Sequence, residues 1–223
     1  MVCARVPLIL GSASAARLAT LQRAGVTPYV LVSDVDEDSV VTLAESRYGE
    51  LAPEDVALAL ARAKCEAVTN LLAEETCPPD APVGALVLGC DSLLELDGEV
   101  HGKPADGAEA ISRWKRMRGT SGVLHTAHWL IDDRADNDGG TRATLGAVAS
   151  TIVHFANVSD DEITGYVATG EPLQVAGAFT IDGLGGPFVS GIEGDHHNVV
   201  GISLPLLREM LGELNVGWFE LCP

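Results

Sequence analysis

Four stretches of the chain carry residue types that can do chemistry. The first is the turn GSASAAR at 11–17, where a short apolar run, Val6 to Leu10, delivers small residues to the start of a helix. Backbone N–H groups at a helix start lack intrahelical partners. With the Ser12 and Ser14 hydroxyls and Arg17 one turn further on, they would make an anion pocket. The turn is not a Walker loop, because GxxxxGK[ST] is absent, and GLGGPF at 183–188 is not GxGxxG, because Phe188 takes the last glycine position. On local pattern the competing reading is an ordinary capped helix with a surface arginine. The second stretch is Asp91, a carboxylate at the end of the apolar run LVLGC; such a charge needs a partner, a metal or a catalytic role, unless it only caps a helix or turn. The third is the acidic segment Asp34, Asp36, Glu37 and Asp38, which would either bind a hard cation through oxygen or be a solvated loop. Lys64 and Lys103, the latter in HGKP, form the fourth group and would each also pass as surface lysines.

The remaining reactive side chains argue less. His125 and His128 lie three apart in an expected strand and so point to opposite faces, which spoils a shared metal site. His196 and His197 fall in a glycine-rich stretch and read as polar surface. Cys90 adjoins Asp91, but no histidine is near it in sequence, and it reads as a buried spectator. The five cysteines (Cys3, Cys65, Cys77, Cys90, Cys222) are odd in number, scattered and without a CxxC pair, which argues against a zinc site and a disulfide framework.

The elements that must position these residues alternate along the chain. The helix after Ser14 carries Leu18 and Leu21 and stops at Gly25; Tyr29 to Val32 reads as a strand running into the acidic loop. Pro53 opens a longer helix with Val56, Leu60, Ala63, Ala67 and Leu71 as its apolar stripe and Lys64 beside that stripe. After the breaker TCPPDAP, ALVLG reads as a central strand and LLEL-DG-EVHG as a hairpin, because Asp97 and Gly98 suit the positive φ of a type I′ turn. Asp106 with Glu109, and Ser159 with Glu162, are capping signatures for two more helices. Strands near 122–131 and 147–155 flank the polar segment DDRADNDGGTRA, a mobile loop near 132–146 by its composition. The glycine-rich stretch 176–201 reads as loop, and Pro205 starts a last helix with Leu207, Met210, Leu211 and Leu214. Interleaved strands and helices mean an α/β fold, with a mixed twisted central sheet flanked by helices.

Composition excludes whole classes of partner. The 223 residues carry 14 Lys plus Arg against 32 Asp plus Glu, a formal charge of −18, which disfavours nucleic acid and anionic membrane surfaces. No apolar run reaches the roughly 18 residues of a membrane span, and the N-terminal one is shorter than a signal-peptide core, so the chain reads as cytoplasmic. Aromatics at 4% point to a core of Val, Leu, Ile and Ala.

Together the segments LILGSASAAR, SDVDE, ALARAKCEAV, LGCDS, LDGEVHGKP, YVATGEPLQVAGAFTIDGLGG and EGDHHNVVG, in this order, resemble the Maf family of nucleoside triphosphate pyrophosphatases. The resemblance implies an inosine-triphosphatase-like fold: a single domain over 1–223, with a cleft between two lobes. It implies hydrolysis of a nucleoside triphosphate between the α- and β-phosphates, with Mg²⁺ or Mn²⁺, as nucleotide-pool housekeeping, and makes a homodimer plausible. Carried over by position, Asp91 matches the family's proton acceptor and Arg17 with Ser12 and Ser14 its phosphate grip. Lys64 and Lys103 match its cleft cations, and Glu37, with Asp91, the metal side. Ala16, Ser92 and Asp182 stand at positions that separate the family's branches and fit no usual pattern, which leaves the preferred base open. The alternative is a non-catalytic nucleotide-binding regulator of septum formation that uses the same pocket.

Overall fold

The computed structural model describes residues 5–74 and 77–222; Cys3, and Thr76 at the head of the expected breaker, lie outside the described residues. Among the described residues seven strands form one mixed sheet: β1 (Leu8–Gly11), β2 (Tyr29–Val30), β3 (Leu86–Leu96), β4 (Glu99–His101), β5 (Ser121–Asp132), β6 (Thr144–Phe155) and β7 (Val189–Glu193). Their order is β2-β1-β3-β5-β6-β7, with β4 paired to β3 off that path. β1 runs parallel to β2 and β3, whereas β3 with β4 and β6 with β7 are antiparallel. The α-helices are α1 (Ala15–Arg23), α2 (Glu37–Tyr48), α3 (Pro53–Leu72), α4 (Gly107–Met117), α5 (Asp160–Ala168), α6 (His196–Val200) and α7 (Leu204–Glu213). The α/β class with a mixed sheet is as the sequence implies. Among the described residues no helix is long and apolar enough to cross a membrane.

The chain divides into two compact units: one from the N-terminal segment through Asp91 with 127–148 and the stretch from Leu204 on, the other from Ser92–Thr126 and Ala149–Ser203. In the first, Ile9, Leu31, Cys65, Val68, Ala85 and Val87 form an aliphatic cluster, as the composition suggests. The second departs from that expectation. It gathers the scarce aromatics around fully buried Trp114, whose ring meets Phe155, Tyr166 and Phe188 edge-on or nearly so at centroid distances of 5.5–5.8 Å. The Trp114 indole N–H donates to the Ala178 carbonyl at 2.8 Å, so its one polar group is satisfied.

Several helix starts and turns follow the residues that announce them. Ser14 caps α1; Ser159 and Glu162 form a reciprocal capping box on α5; Asp97 (φ 53°) and Gly98 (φ 79°) make the β3–β4 hairpin turn. Asp106 accepts from the Glu109 N–H, but the Glu109 carboxylate reaches back one residue further, to the Ala105 N–H at 2.8 Å.

Four expectations are corrected. The acidic segment is not all loop: Asp36 accepts from the Ser39 N–H and Oγ and caps α2, with Glu37 and Asp38 in the first turn, where negative charge suits the helix dipole. Asp91 does not end a strand, because β3 runs without a break from Leu86 to Leu96. On α3 the buried stripe is Ala57, Leu60, Ala61, Cys65 and Val68, about one residue round from the expected one, so Lys64 lies on the inner side of the helix. The stretch 176–201 contains a strand, β7, and the short helix α6, with 3-10 turns at Ala176–Ala178 and Gly186–Phe188.

Two devices set the local geometry of the first unit. Gly89 lets α3 lie directly on β3: a Cβ there would stand 2.7 Å from the Cys65 Cβ and 2.8 Å from its nitrogen. The polar connection between β5 and β6 is gathered on Asp132, which accepts from Arg134 Nε (2.8 Å) and Nη2 (2.9 Å) and from the Thr141 N–H (2.8 Å) and Oγ1 (2.9 Å). Burial would push this carboxyl up, but those donors overcome it and hold it at about 2.

Replacing Gly89 by alanine is expected to cost about 1–3 kcal/mol through overpacking, read as a lower urea midpoint with an unchanged slope. Asp132→Ala leaves the Arg134 guanidinium buried without its partner and is expected to cost about 3 kcal/mol at neutral pH. Because the folded-state value is depressed, the wild-type advantage is complete above about pH 4 and shrinks as pH falls towards about 2. Urea titrations of both proteins across that interval check the sign, and a constant difference contradicts it.

Candidate active site

The turn at 11–17 is held by the hydrogen bonds of its two serines. Leaving β1 at Gly11, the chain places Ser12, which is buried, so that its Oγ accepts from the Ser14 N–H at 3.3 Å and from Arg17 Nη1 at 2.9 Å. Ser14 Oγ in turn accepts from the Arg17 N–H at 3.3 Å. Arg17 thus bends back from the first turn of α1, and its Nη1 also donates to the Cys90 carbonyl at 2.9 Å. That carbonyl lies between two pairings of β3: β1 takes Leu86–Gly89, and β4 takes Leu94–Leu96. A guanidinium and the positive end of a helix therefore stand together at a break in the ladder, an arrangement suited to an oxyanion.

Asp91 follows Cys90 and is almost wholly buried. Lys64, brought onto the inner side of α3, places its ammonium on Asp91 Oδ1 and on Glu37 Oε1, the latter at 2.7 Å. One lysine thereby joins carboxylates from β3 and from the first turn of α2. Burial works against the Lys64 charge, yet Asp91 and Glu37 outweigh it and hold the lysine above its ordinary value. The Asp91 carboxyl is also raised: burial outweighs the pull of Lys64 and Arg17, and Glu37 adds repulsion. A raised carboxylate in a water-poor setting is a better proton acceptor than an ordinary aspartate. Cys90 behaves as a spectator, since burial pushes its thiol up to about 11 and suppresses the thiolate.

Ser12, Ser14, Ala16, Arg17, Glu37, Lys64 and Asp91 thus all belong to the first unit, and all of them except Ala16 are joined by hydrogen bonds or ion pairs into two neighbouring sets around Cys90 and Asp91. Ser92, Lys103 and Asp182 belong to the second. There Lys103 is exposed, and the carbonyl of the preceding Gly102 is held by Arg113 Nη1 at 2.6 Å and the Gly177 N–H at 3.1 Å. Asp182 is exposed on the glycine-rich turn. Ser92 Oγ lies 2.9 Å from Thr126 Oγ1, which donates to the Asn198 carbonyl at 3.0 Å. Thr126 and Asn198 escaped the reading of the sequence; a buried polar pair inside otherwise apolar or glycine-rich segments was the available signal. His125 is engaged by Ser150 Oγ (2.8 Å) and Glu95 Oε2 (3.1 Å), and His196 and His197 are exposed as expected.

For a divalent cation, the fitting donors are the Glu37 and Asp91 carboxylates. They are hard oxygen ligands held to one ammonium, and Mg²⁺ commonly takes one or two carboxylates and completes its shell with water and phosphate oxygen. No cluster of three or more His, Cys, Asp or Glu suited to a metal occurs among the described residues, so an all-protein cage is not what this donor set offers.

The sequence model described as Maf-like protein matches residues 7–214. The chain belongs to the Maf family. Relatives named "Nucleoside triphosphate pyrophosphatase" are similar over nearly the whole Maf chain. The one from Salinispora tropica is 60% identical over 209 residues, covering 94% of this chain and 84% of its own. That from Leifsonia xyli is 48% identical over 214 residues, covering 96% and 95%. That from Streptomyces coelicolor is 49% identical over 214 residues, covering 96% and 93%.

Substituting Lys64 by methionine in this Maf protein removes the cation that offsets burial at Asp91 and leaves Glu37 facing it. The Asp91 carboxyl is then expected to titrate higher than in the wild type. Carboxyl-resolved ¹³C NMR of wild type and variant measures this, and a downward movement contradicts the account.

Proposed function

We propose that this chain hydrolyses nucleoside triphosphates at the α/β phosphoanhydride, releasing a nucleoside monophosphate and pyrophosphate. The observation that carries the reading is a buried aspartate, ion-paired to Lys64, beside a guanidinium and a helix N-terminus, in a chain whose relatives bear the pyrophosphatase name. Asp91 accepts a proton from the water that attacks the α-phosphorus; the bond from that phosphorus to the α/β bridging oxygen breaks, and pyrophosphate leaves. Ser12, Ser14 and Arg17 hold the phosphates, and Lys64 and Lys103 supply further positive charge. Ala16, Ser92 and Asp182 read the nucleoside.

Glu37 and Asp91 would hold Mg²⁺ or Mn²⁺. Bound there, the cation neutralises polyphosphate charge and stabilises the leaving group. The need for it is electrostatic: Arg17 and Lys64 are formally cancelled by Glu37 and Asp91, and a triphosphate adds several negative charges to a chain at −18. A cytoplasmic setting and a homodimer complete the reading, the second measurable by sedimentation.

With a panel of triphosphates and Mg²⁺ or Mn²⁺, pyrophosphate should form in step with monophosphate; orthophosphate alone would mean γ-phosphate removal and defeat the proposal. Asp91→Asn should retain the fold and lose about 10²–10⁴ in kcat. Because Asp91 acts only when ionised and its carboxyl is raised, kcat/KM should fall on acidification at a pH above the ordinary aspartate value of 3.8. A profile flat down to that value would remove Asp91 from the role of base.

A further inference from the structure

Glu171 follows Gly170, which ends α5, and opens the 3-10 turn Glu171–Gln174. Its Oε1 accepts from Tyr166 Oη at 2.8 Å, Thr180 Oγ1 at 2.6 Å and the Gly185 N–H at 3.0 Å. Its Oε2 accepts from the Leu184 N–H at 2.9 Å. Two successive backbone N–H groups converging on one anion make a nest, a device that elsewhere holds phosphate. Here the anion is the protein's own carboxylate, and the segment 180–185 closes round it.

The glycines follow from that closure. A Cβ at Gly183 would run into Glu171 Oε2 and Thr180 Oγ1, and one at Gly185 into the Tyr166 hydroxyl and the Thr180 carbonyl. The pattern T-I-D-G-L-G is therefore a ring wound on Glu171, not a phosphate loop. On its outer side stand Asp182, exposed, and Leu184, 58% exposed: a carboxylate and an apolar side chain on one short turn.

We infer that Glu171 is a positioning residue for nucleotide selection: it holds the 180–185 ring, and the ring holds Asp182 and Leu184 in the attitude that meets the nucleoside. The inference rests on the triphosphate reading above and on Asp182 as a nucleoside-reading residue. Glu171 takes no part in the bond-breaking step. Its loss changes which triphosphate is chosen and leaves the phosphate grip and the rate of chemistry in place.

The test compares wild type, Glu171→Gln and the milder Thr180→Val, which removes one donor and keeps the carboxylate. Amide hydrogen exchange at Leu184 and Gly185 reads the anchoring directly. Steady-state rates over a triphosphate panel read selectivity, and inhibition by inorganic tripolyphosphate, which has no base, reads the phosphate grip. In Glu171→Gln we expect exchange at both amides and KM for the best substrate to rise about tenfold, the spread of kcat/KM across the panel to narrow about tenfold, and kcat to stay within about threefold. Tripolyphosphate inhibition should stay unchanged.

Thr180→Val should move in the same direction by less, and decides the matter alone if Glu171→Gln does not fold. Faster exchange with unchanged selectivity would make Glu171 merely structural and overturn the inference, as would unchanged exchange. So would a fall in kcat and tripolyphosphate affinity as large as the change in selectivity. A wild-type protein inert towards every triphosphate would defeat the functional reading instead; calorimetric affinities over the same panel would then replace KM and still decide the role of Glu171.

Discussion

A lysine ammonium set between two carboxylates, one of them buried in the middle of a strand, is the interaction on which the first unit of this protein turns. Asp91 on β3 would be costly there alone, since removing a carboxylate from water without a partner costs several kcal/mol. Lys64 offsets that cost only because α3 lies against β3 closely enough to deliver it, and the approach depends on the missing side chain at Gly89. Arg17 completes the neighbourhood from a fourth element, α1, by taking the Cys90 carbonyl. Charge compensation, backbone approach and a break in strand pairing are thus one arrangement, and the chemistry proposed for Asp91 is a consequence of its incomplete compensation.

Carboxylates also organise the polar segments elsewhere. Asp132 gathers the connection between β5 and β6 through Arg134 and Thr141, and Glu171 gathers the ring at 180–185 through two hydroxyls and two backbone N–H groups. In each case a side-chain anion supplies the acceptors that an irregular backbone lacks. A strongly acidic chain therefore uses part of its negative charge internally, where several donors share one carboxylate, and leaves the rest to water.

The parts legible in the sequence were those governed by neighbours in the chain. The Ser14 cap, the Asp97-Gly98 turn and the Ser159/Glu162 box are local hydrogen-bonding or φ requirements. Helix α2 was hidden because Leu43 and Tyr48 are exposed and no residue of it is buried, which removes the apolar period; Asp36 followed by Glu37 and Asp38 was the cue that remained. Strand β7 was hidden by glycines, and the position of Lys64 by an alanine-rich helix whose small residues blur the stripe.

By itself, then, the sequence determined the α/β alternation, the main caps and turns, and the family, because those depend on short-range geometry and on an ordered set of motifs. It marked Ser12, Arg17, Glu37, Lys64 and Asp91 as separate candidates. Only the tertiary structure decided that Lys64 joins Glu37 to Asp91, that Arg17 reaches the Cys90 carbonyl, and that Thr126 and Asn198 stand behind Ser92. Those contacts link residues 27 to 73 positions apart. Such pairs are fixed by how closely backbones can approach and by which buried charges must meet, and no local pattern encodes either.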